Sequence, residues 1–329
     1  MSAKKLKVVV TRKLPAPVEL RLKELFDARL NNDDHPFTQE ELVEAMQTAD
    51  VLVPTVTDKL DGRIMARAGD QLRLIAQFGA GVDNIDVQSA VQRGITVTNT
   101  PGVLTDDTAD VAMALILSVP RRLFEGAQIM NTGGFDGWTP TWMMGRRLAG
   151  KRLGIIGMGN IGRQVARRAA AFDLELQYYD KYHPLTPVEE ETLGIQAVSM
   201  DTLLQTSDIV TTHVPLTRET YGMIGKRELE TMKPTSVIIN TSRGGVIDET
   251  ALAEALISKT IAAAGLDVME HEPPDPNDPL LQIENLIITP HTAGPTLESI
   301  PKRAVNAFEN IQRVWDGQPA MWTAEYENL

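Results

Sequence analysis

The chain has 329 residues, 43% hydrophobic and 23% charged, a composition ordinary for a globular protein of about two domains and one that excludes disordered or fibrous readings. With no cysteine, disulfides, thiolate nucleophiles, iron–sulfur clusters and cysteine-ligated zinc are ruled out. The formal net charge of −12 repels phosphate backbones and anionic lipid heads, which argues against nucleic acid or a membrane surface as a partner.

The first apolar run, Val8-Val9-Val10, is too short for a signal peptide and reads as a strand over Lys7–Val10. Leu22, Leu25, Phe26 and Leu30 then recur at helical spacing, and Thr38 with Glu41 forms a capping box ahead of a second helix. Strands are predicted at Val51–Val53, Leu72–Phe78 and Ile95–Thr98, with Asp86 capping a helix between the last two. A domain boundary is expected at Asn99-Thr100-Pro101-Gly102. A long apolar-faced helix begins at Thr105 and should bend or stop at Pro120, and Gly126–Pro140 reads as a loop by its glycines. Its run Val111 to Leu117 falls far short of the ~20 apolar residues of a membrane span, so a cytoplasmic location is expected. From Lys151 the β-α alternation restarts, with strands at Arg152–Ile156, Leu174–Tyr179, Ile209–Thr212, Val237–Asn240, Ala262–Leu266 and Leu286–Ile288. A packing helix follows Thr296, with Ile300, Ala304, Ala307, Phe308 and Ile311 on one face.

The sharpest local pattern is Gly157-Met158-Gly159-Asn160-Ile161-Gly162, directly after an apolar strand and opening a helix. Glycines so placed permit a tight turn, close approach of a pyrophosphate and packing of helix on strand, while the helix N-terminus offers N–H donors to phosphate. The next strand ends at Asp180, eighteen residues after Gly162, where a carboxylate meets adenosine ribose hydroxyls. That carboxylate accepts from both hydroxyls and repels a 2′-phosphate, which favours NADH over NADPH; Lys181 and His183 would blunt the preference.

Reacting groups are sought at strand C-terminal ends. Arg243 follows Val237–Asn240 in Thr-Ser-Arg-Gly-Gly, and its guanidinium suits a ligand carboxylate, although a single arginine there is as often a solvated charge. His291 follows Leu286–Thr289 and Pro290 and offers a group for proton exchange near neutrality. Glu272 lies in an acidic, proline-rich loop; touching the imidazole, it would stabilise the cation and make it an acid for a carbonyl oxygen. Glu270, Asp275 and Asp278 read as solvated. No histidine spacing resembles a metal site, and no serine-hydrolase pattern is present.

Taken together, Phe78-Gly79-Ala80-Gly81-Val82-Asp83-Asn84-Ile85-Asp86, Gly157–Gly162, His213-Val214-Pro215-Leu216-Thr217, Ile239 to Asp248, Gly265 to Pro273 and Thr289-Pro290-His291 resemble the D-2-hydroxyacid dehydrogenase family over nearly the whole chain. Asn99 to Thr105 with Thr108-Ala109-Asp110 is most similar to its glyoxylate and hydroxypyruvate reductases. The resemblance implies an α/β protein in which a Rossmann NAD-binding domain (101–290) is inserted into a smaller flavodoxin-like substrate domain (1–100 and 291–329). It implies reversible NADH-dependent reduction of a small 2-oxo acid to the D-2-hydroxy acid by a homodimer. Arg243, Glu272 and His291 would be catalytic, with Ala80, Gly81 and Arg243 on the substrate. Asn160, Ile161, Val214, Thr241, Ser242 and Asp267 would join the glycines and Asp180 on the cofactor side. Alternatives are an NAD(H)-sensing corepressor-like protein and a dehydrogenase for phosphoglycerate or phosphite. After His291, Ala293-Gly294-Pro295-Thr296 departs from the family's usual Gly-Ser-Ala-Thr-like run, which bears on substrate fit.

Overall fold

The structure is a computed structural model that describes residues 5–324; the outer ends of the predicted first and last domain segments lie outside this range. The chain divides into two compact units, one running to Leu104 and resuming at Pro295, the other Thr105–Gly294.

The first unit holds five parallel strands, β1 (Lys7–Val10), β2 (Asp27–Arg29), β3 (Val51–Val53), β4 (Leu74–Ala76) and β5 (Thr96–Thr98), in the order β2-β1-β3-β4-β5. This is the flavodoxin-like winding, with the apolar strands covered on both faces as parallel sheets require. The capping box at Thr38 and Glu41 starts the helix Gln39–Thr48. After the excursion into the second unit, the helix Ser299–Trp315 returns Ala304, Ala307, Phe308 and Ile311 to the core around Leu22 and Phe26.

The second unit holds seven parallel strands: β6 (Arg152–Ile156), β7 (Glu175–Tyr179), β8 (Ile195–Ala197), β9 (Ile209–Thr212), β10 (Val237–Asn240), β11 (Ala263–Leu266) and β12 (Leu286–Ile288). Their order, β12-β11-β10-β9-β6-β7-β8, is the Rossmann winding with one further strand. All pairs are parallel, so every strand's C-terminal end lies on the same edge of the sheet, and the winding reverses between β6 and β9. That reversal is where such sheets open a crevice for ligands.

Three local expectations differ from the structure. β2 and β8 were not foreseen, because each is three residues long and lacks an apolar run. The predicted loop Gly126–Pro140 instead begins inside a helix, Leu123–Asn131, where Gly126 is tolerated among helix formers. The unit boundaries fall four residues beyond those predicted, so His291 belongs with the Rossmann unit. The segment after β12 is tied to the end of β11 by hydrogen bonds described below, which keeps it with that sheet.

Candidate active site

The glycine turn leaves β6 at its C-terminal end. Gly157 sits at φ +97°, and a Cβ there would lie 2.6 Å from the His213 carbonyl oxygen, so the turn admits no larger residue. Gly162 is buried against the Gly157 carbonyl. Gly159 and Asn160 are exposed at the start of the helix Asn160–Ala170, whose N-terminus has no side-chain cap; its first N–H groups therefore remain for an anion. Ile161 and Val214 are partly buried beside the turn. Thr241 Oγ1 and His213 Nδ1, just past β10 and β9, are buried polar atoms with no partner among the described residues. Open donors, a cradle that a Cβ would fill and orphaned polar atoms fit a dinucleotide.

Asp180, past the end of β7, closes this turn. One oxygen accepts from the Met158 N–H (2.7 Å) and the other from the N–H groups of Tyr182 and His183 (both 2.8 Å). Burial pushes its carboxyl up, but these three backbone donors outweigh that and hold it below the usual carboxylate range. A carboxylate offers about four acceptor directions, which leaves about one, on Oδ2, for a ribose hydroxyl. Lys181, expected to temper the local negative charge, is itself engaged by Glu219 at 3.1 Å.

At the other side of the sheet, β10, β11 and β12 deliver the three proposed reacting side chains. Asn240 ends β10 fully buried and organises the next turn. Its Oδ1 accepts from Thr212 Oγ1 and from the Ser242 N–H and Oγ, and its Nδ2 donates to the Arg243 carbonyl at 2.8 Å. Gly244 packs so closely that a Cβ would lie 2.0 Å from the Met269 carbonyl carbon, which brings the Arg243 turn against the loop carrying Glu272.

Asp267 directly follows β11 and is completely buried. Its carboxylate accepts from Thr289 Oγ1 (2.6 Å), the Thr292 N–H and Oγ1, and the Ala293 N–H (2.8 Å); its carbonyl accepts from the His291 N–H. Although the resemblance assigns Asp267 to the cofactor side, the hydrogen bonds of its carboxylate all run to the segment that carries His291, while its N–H donates to the Asn240 carbonyl. They also fix the departing run at Ala293. His291 is held at φ +52°, an uncommon conformation for a residue other than glycine and one typical of constrained functional sites.

His291 Nδ1 lies 2.7 Å from Glu272 Oε2, and Glu272 Oε1 accepts from the Met269 N–H at 2.9 Å. Burial pushes the Glu272 carboxyl up; the hydrogen bonds from His291 and Met269, with the charges of His291 and Arg243, outweigh it and hold the carboxyl down. Glu270 takes the Tyr221 hydroxyl, and Asp275 and Asp278 serve local turns. Among the residues missed in the sequence, Asn240 had a faint signal, a polar side chain closing the apolar strand Val-Ile-Ile-Asn.

In the first unit, Ala80 and Gly81 follow β4. Their carbonyls accept from the side-chain amides of Asn99 (2.6 Å) and Gln77 (3.1 Å), and Asn84 in turn ties the loop to Thr55 and Asp58. Their N–H groups face no protein acceptor among the described residues.

A Rossmann sheet with an open glycine turn, and a histidine–carboxylate pair beside an arginine on the same sheet edge, define an NAD-dependent dehydrogenase. The family profile of the D-isomer specific 2-hydroxyacid dehydrogenase NAD-binding domain matches residues 113–293. The chain is 43% identical over 306 residues to a glyoxylate reductase of Korarchaeum cryptofilum, covering 93% of this chain and 91% of that one. It is similar in structure to the TT0316 protein of Thermus thermophilus (TM-score 0.88, 37% identity, 97% of this chain and 100% of that). It is also similar to a glyoxylate reductase of Paecilomyes thermophila (TM-score 0.86, 29% identity, 99% and 100%). The protein belongs to the D-isomer specific 2-hydroxyacid dehydrogenase family.

Proposed function

We propose that this NAD-dependent dehydrogenase reduces glyoxylate, hydroxypyruvate or a similarly small 2-oxo acid to the 2-hydroxy acid of D configuration, and oxidises the product in reverse. When bound, NADH supplies the hydride that adds to the carbonyl carbon. His291 gives a proton to the carbonyl oxygen from Nε2, the ring nitrogen with no protein partner among the described residues. Glu272 holds Nδ1 and offsets the imidazolium charge, which fixes the ring's orientation before the proton moves. Arg243 pairs with the substrate carboxylate through its planar guanidinium and offsets charge developing on the oxygen. Ala80 and Gly81, in the first unit, are proposed as substrate-binding residues through their N–H groups.

The 2.7 Å contact between His291 and Glu272 carries this reading, supported by the likeness to glyoxylate reductases. A non-catalytic NAD(H) sensor would have no use for an imidazole clamped by a carboxylate at the strand ends. Loss of NADH absorbance should follow addition of glyoxylate or hydroxypyruvate, and inactivity with a panel of small 2-oxo acids would remove the assignment. Arg243→Ala should raise the KM for the acid by roughly a hundredfold or more while NADH binding is kept, since a charge-assisted bidentate pair is lost. Loss of both together would argue against the role given to Arg243.

A homodimer is part of the same proposal. The helix Leu123–Asn131 buries none of its residues, and Leu123, Phe124, Met130, Phe135, Trp138 and Met144 are exposed together on one stretch, more apolar surface than a monomer usually leaves to water. Sedimentation should give twice the monomer mass; a monomer at micromolar concentration would reject the arm as an interface. No described helix is long and apolar enough to cross a membrane. Dependence on NADH, a reductant held inside cells, supports a cytoplasmic location.

A further inference from the structure

The two loops that flank the glycine turn are joined to each other. β6 lies between β9 and β7 in the sheet, so the loop after β7 (Asp180 to His183) and the loop after β9 (Val214 to Glu219) stand on either side of it. Across this gap Lys181 Nζ reaches Glu219 Oε2 at 3.1 Å, the Tyr182 hydroxyl donates to the same oxygen, and Lys181 Nζ lies 4.9 Å from the centre of the Tyr182 ring. The three side chains form a closed clasp that joins the loop carrying Asp180 to the loop after β9. Glu219 is held below the usual carboxylate range by Tyr182 and Lys181, and Lys181 is held up by Tyr182 and Glu219, so both ends stay charged.

A ribose 2′-phosphate beside Asp180 would meet one carboxylate at Asp180 and another at Glu219, against a lysine already committed to the second. Lysine serves phosphate as a flexible point charge, and a carboxylate at 3.1 Å both neutralises that charge and restrains the stem. We propose that Glu219 is a specificity-determining residue which, by holding Lys181 in this clasp, withholds it from a 2′-phosphate and sets the enzyme toward NADH. The inference rests on the cofactor site described above and adds to it a residue from the loop opposite Asp180. Because the ion pair is about 60% exposed, the effect belongs to cofactor choice and contributes little to stability.

The test compares wild type, Glu219→Gln, and Glu219→Gln combined with Lys181→Gln by calorimetric titration with NADH, NADPH, 5′-AMP and 2′,5′-ADP. Glutamine keeps the size of the side chain and removes its charge. Freeing Lys181 should tighten NADPH and 2′,5′-ADP by about tenfold relative to NADH and 5′-AMP, and the gain should shrink as salt is raised. The double variant should lose the gain. An unchanged ratio in Glu219→Gln would overturn the proposal, as would a gain that survives in the double variant, since lysine would then play no part. NADH binding by the wild type separates this from the underlying cofactor assignment, which fails on its own if the unaltered protein binds neither dinucleotide.

Discussion

Glu272 receives hydrogen bonds at both oxygens, from His291 Nδ1 and from the Met269 main chain, so it is positioned before any ligand arrives. Glu272→Gln keeps the shape and an acceptor but removes the charge that stabilises the imidazolium. The kcat for reduction should fall by roughly a hundredfold with the Kd for NADH unchanged, within the range general acid–base catalysis contributes. An unaltered kcat would reject the coupling. His213 allows a separate test at the same scale. Its Nε2 meets Thr211 Oγ1 at 3.0 Å, its Nδ1 is buried without a partner among the described residues, and burial lowers its pKa to about 4. The unfolded chain takes up this proton near pH 6.5, the folded chain only near 4, so stability should fall as pH drops through that window and this contribution should level off below it. The loss should reach about 1–3 kcal/mol, and His213→Asn should flatten the pH dependence of denaturant midpoints between those limits. A slope identical to wild type would exclude His213 as its source.

At the scale of elements, the placement of the proposed reacting groups depends on how strand ends are tied to one another. Asn240 ties the end of β9 to the turn after β10, and Asp267 ties the end of β11 to the turn after β12. Gly244 sets the remaining distance, because a methyl group there would overlap main-chain atoms of Met269 and Glu270 that have no soft side chain to yield. Gly244→Ala should therefore displace the Glu272 loop, destabilise the protein by about 1–3 kcal/mol and lower kcat/KM by more than it weakens NADH binding. Equal loss in both, or none, would show that the close approach does not position the pair. Asn240 and Asp267 fall inside the segments that carry the family resemblance, but nothing in the sequence marks them as ties between strand ends beyond a polar residue closing an apolar strand. Their partners, Thr212, Thr289 and Thr292, are identified by strand adjacency alone.

For the whole molecule, the C-terminal helix completes a core begun in the first hundred residues. Phe308 packs edge-on to Phe26, ring centres 6.4 Å apart, among Leu22 and Ile311. Phe308→Ala should destabilise the first unit by about 3–5 kcal/mol, read as a lower Tm with NADH binding retained, because the glycine turn belongs to the other unit. Loss of NADH binding in step with the Tm would show that the units do not hold their folds independently.

The sequence by itself determined the parallel α/β class and the position of the glycine turn, and it proposed the arginine, glutamate and histidine set, since strand periodicity, glycine spacing and side-chain chemistry are local properties. It read the start of Gly126–Pro140 as loop where the helix Leu123–Asn131 runs, because short-range composition competes there with packing. Only the tertiary structure decided that Glu272 reaches His291, that Asp267 ties down the histidine's turn and that Glu219 holds Lys181. Those contacts join residues 19 to 38 positions apart, and their existence depends on which strands the sheet sets side by side.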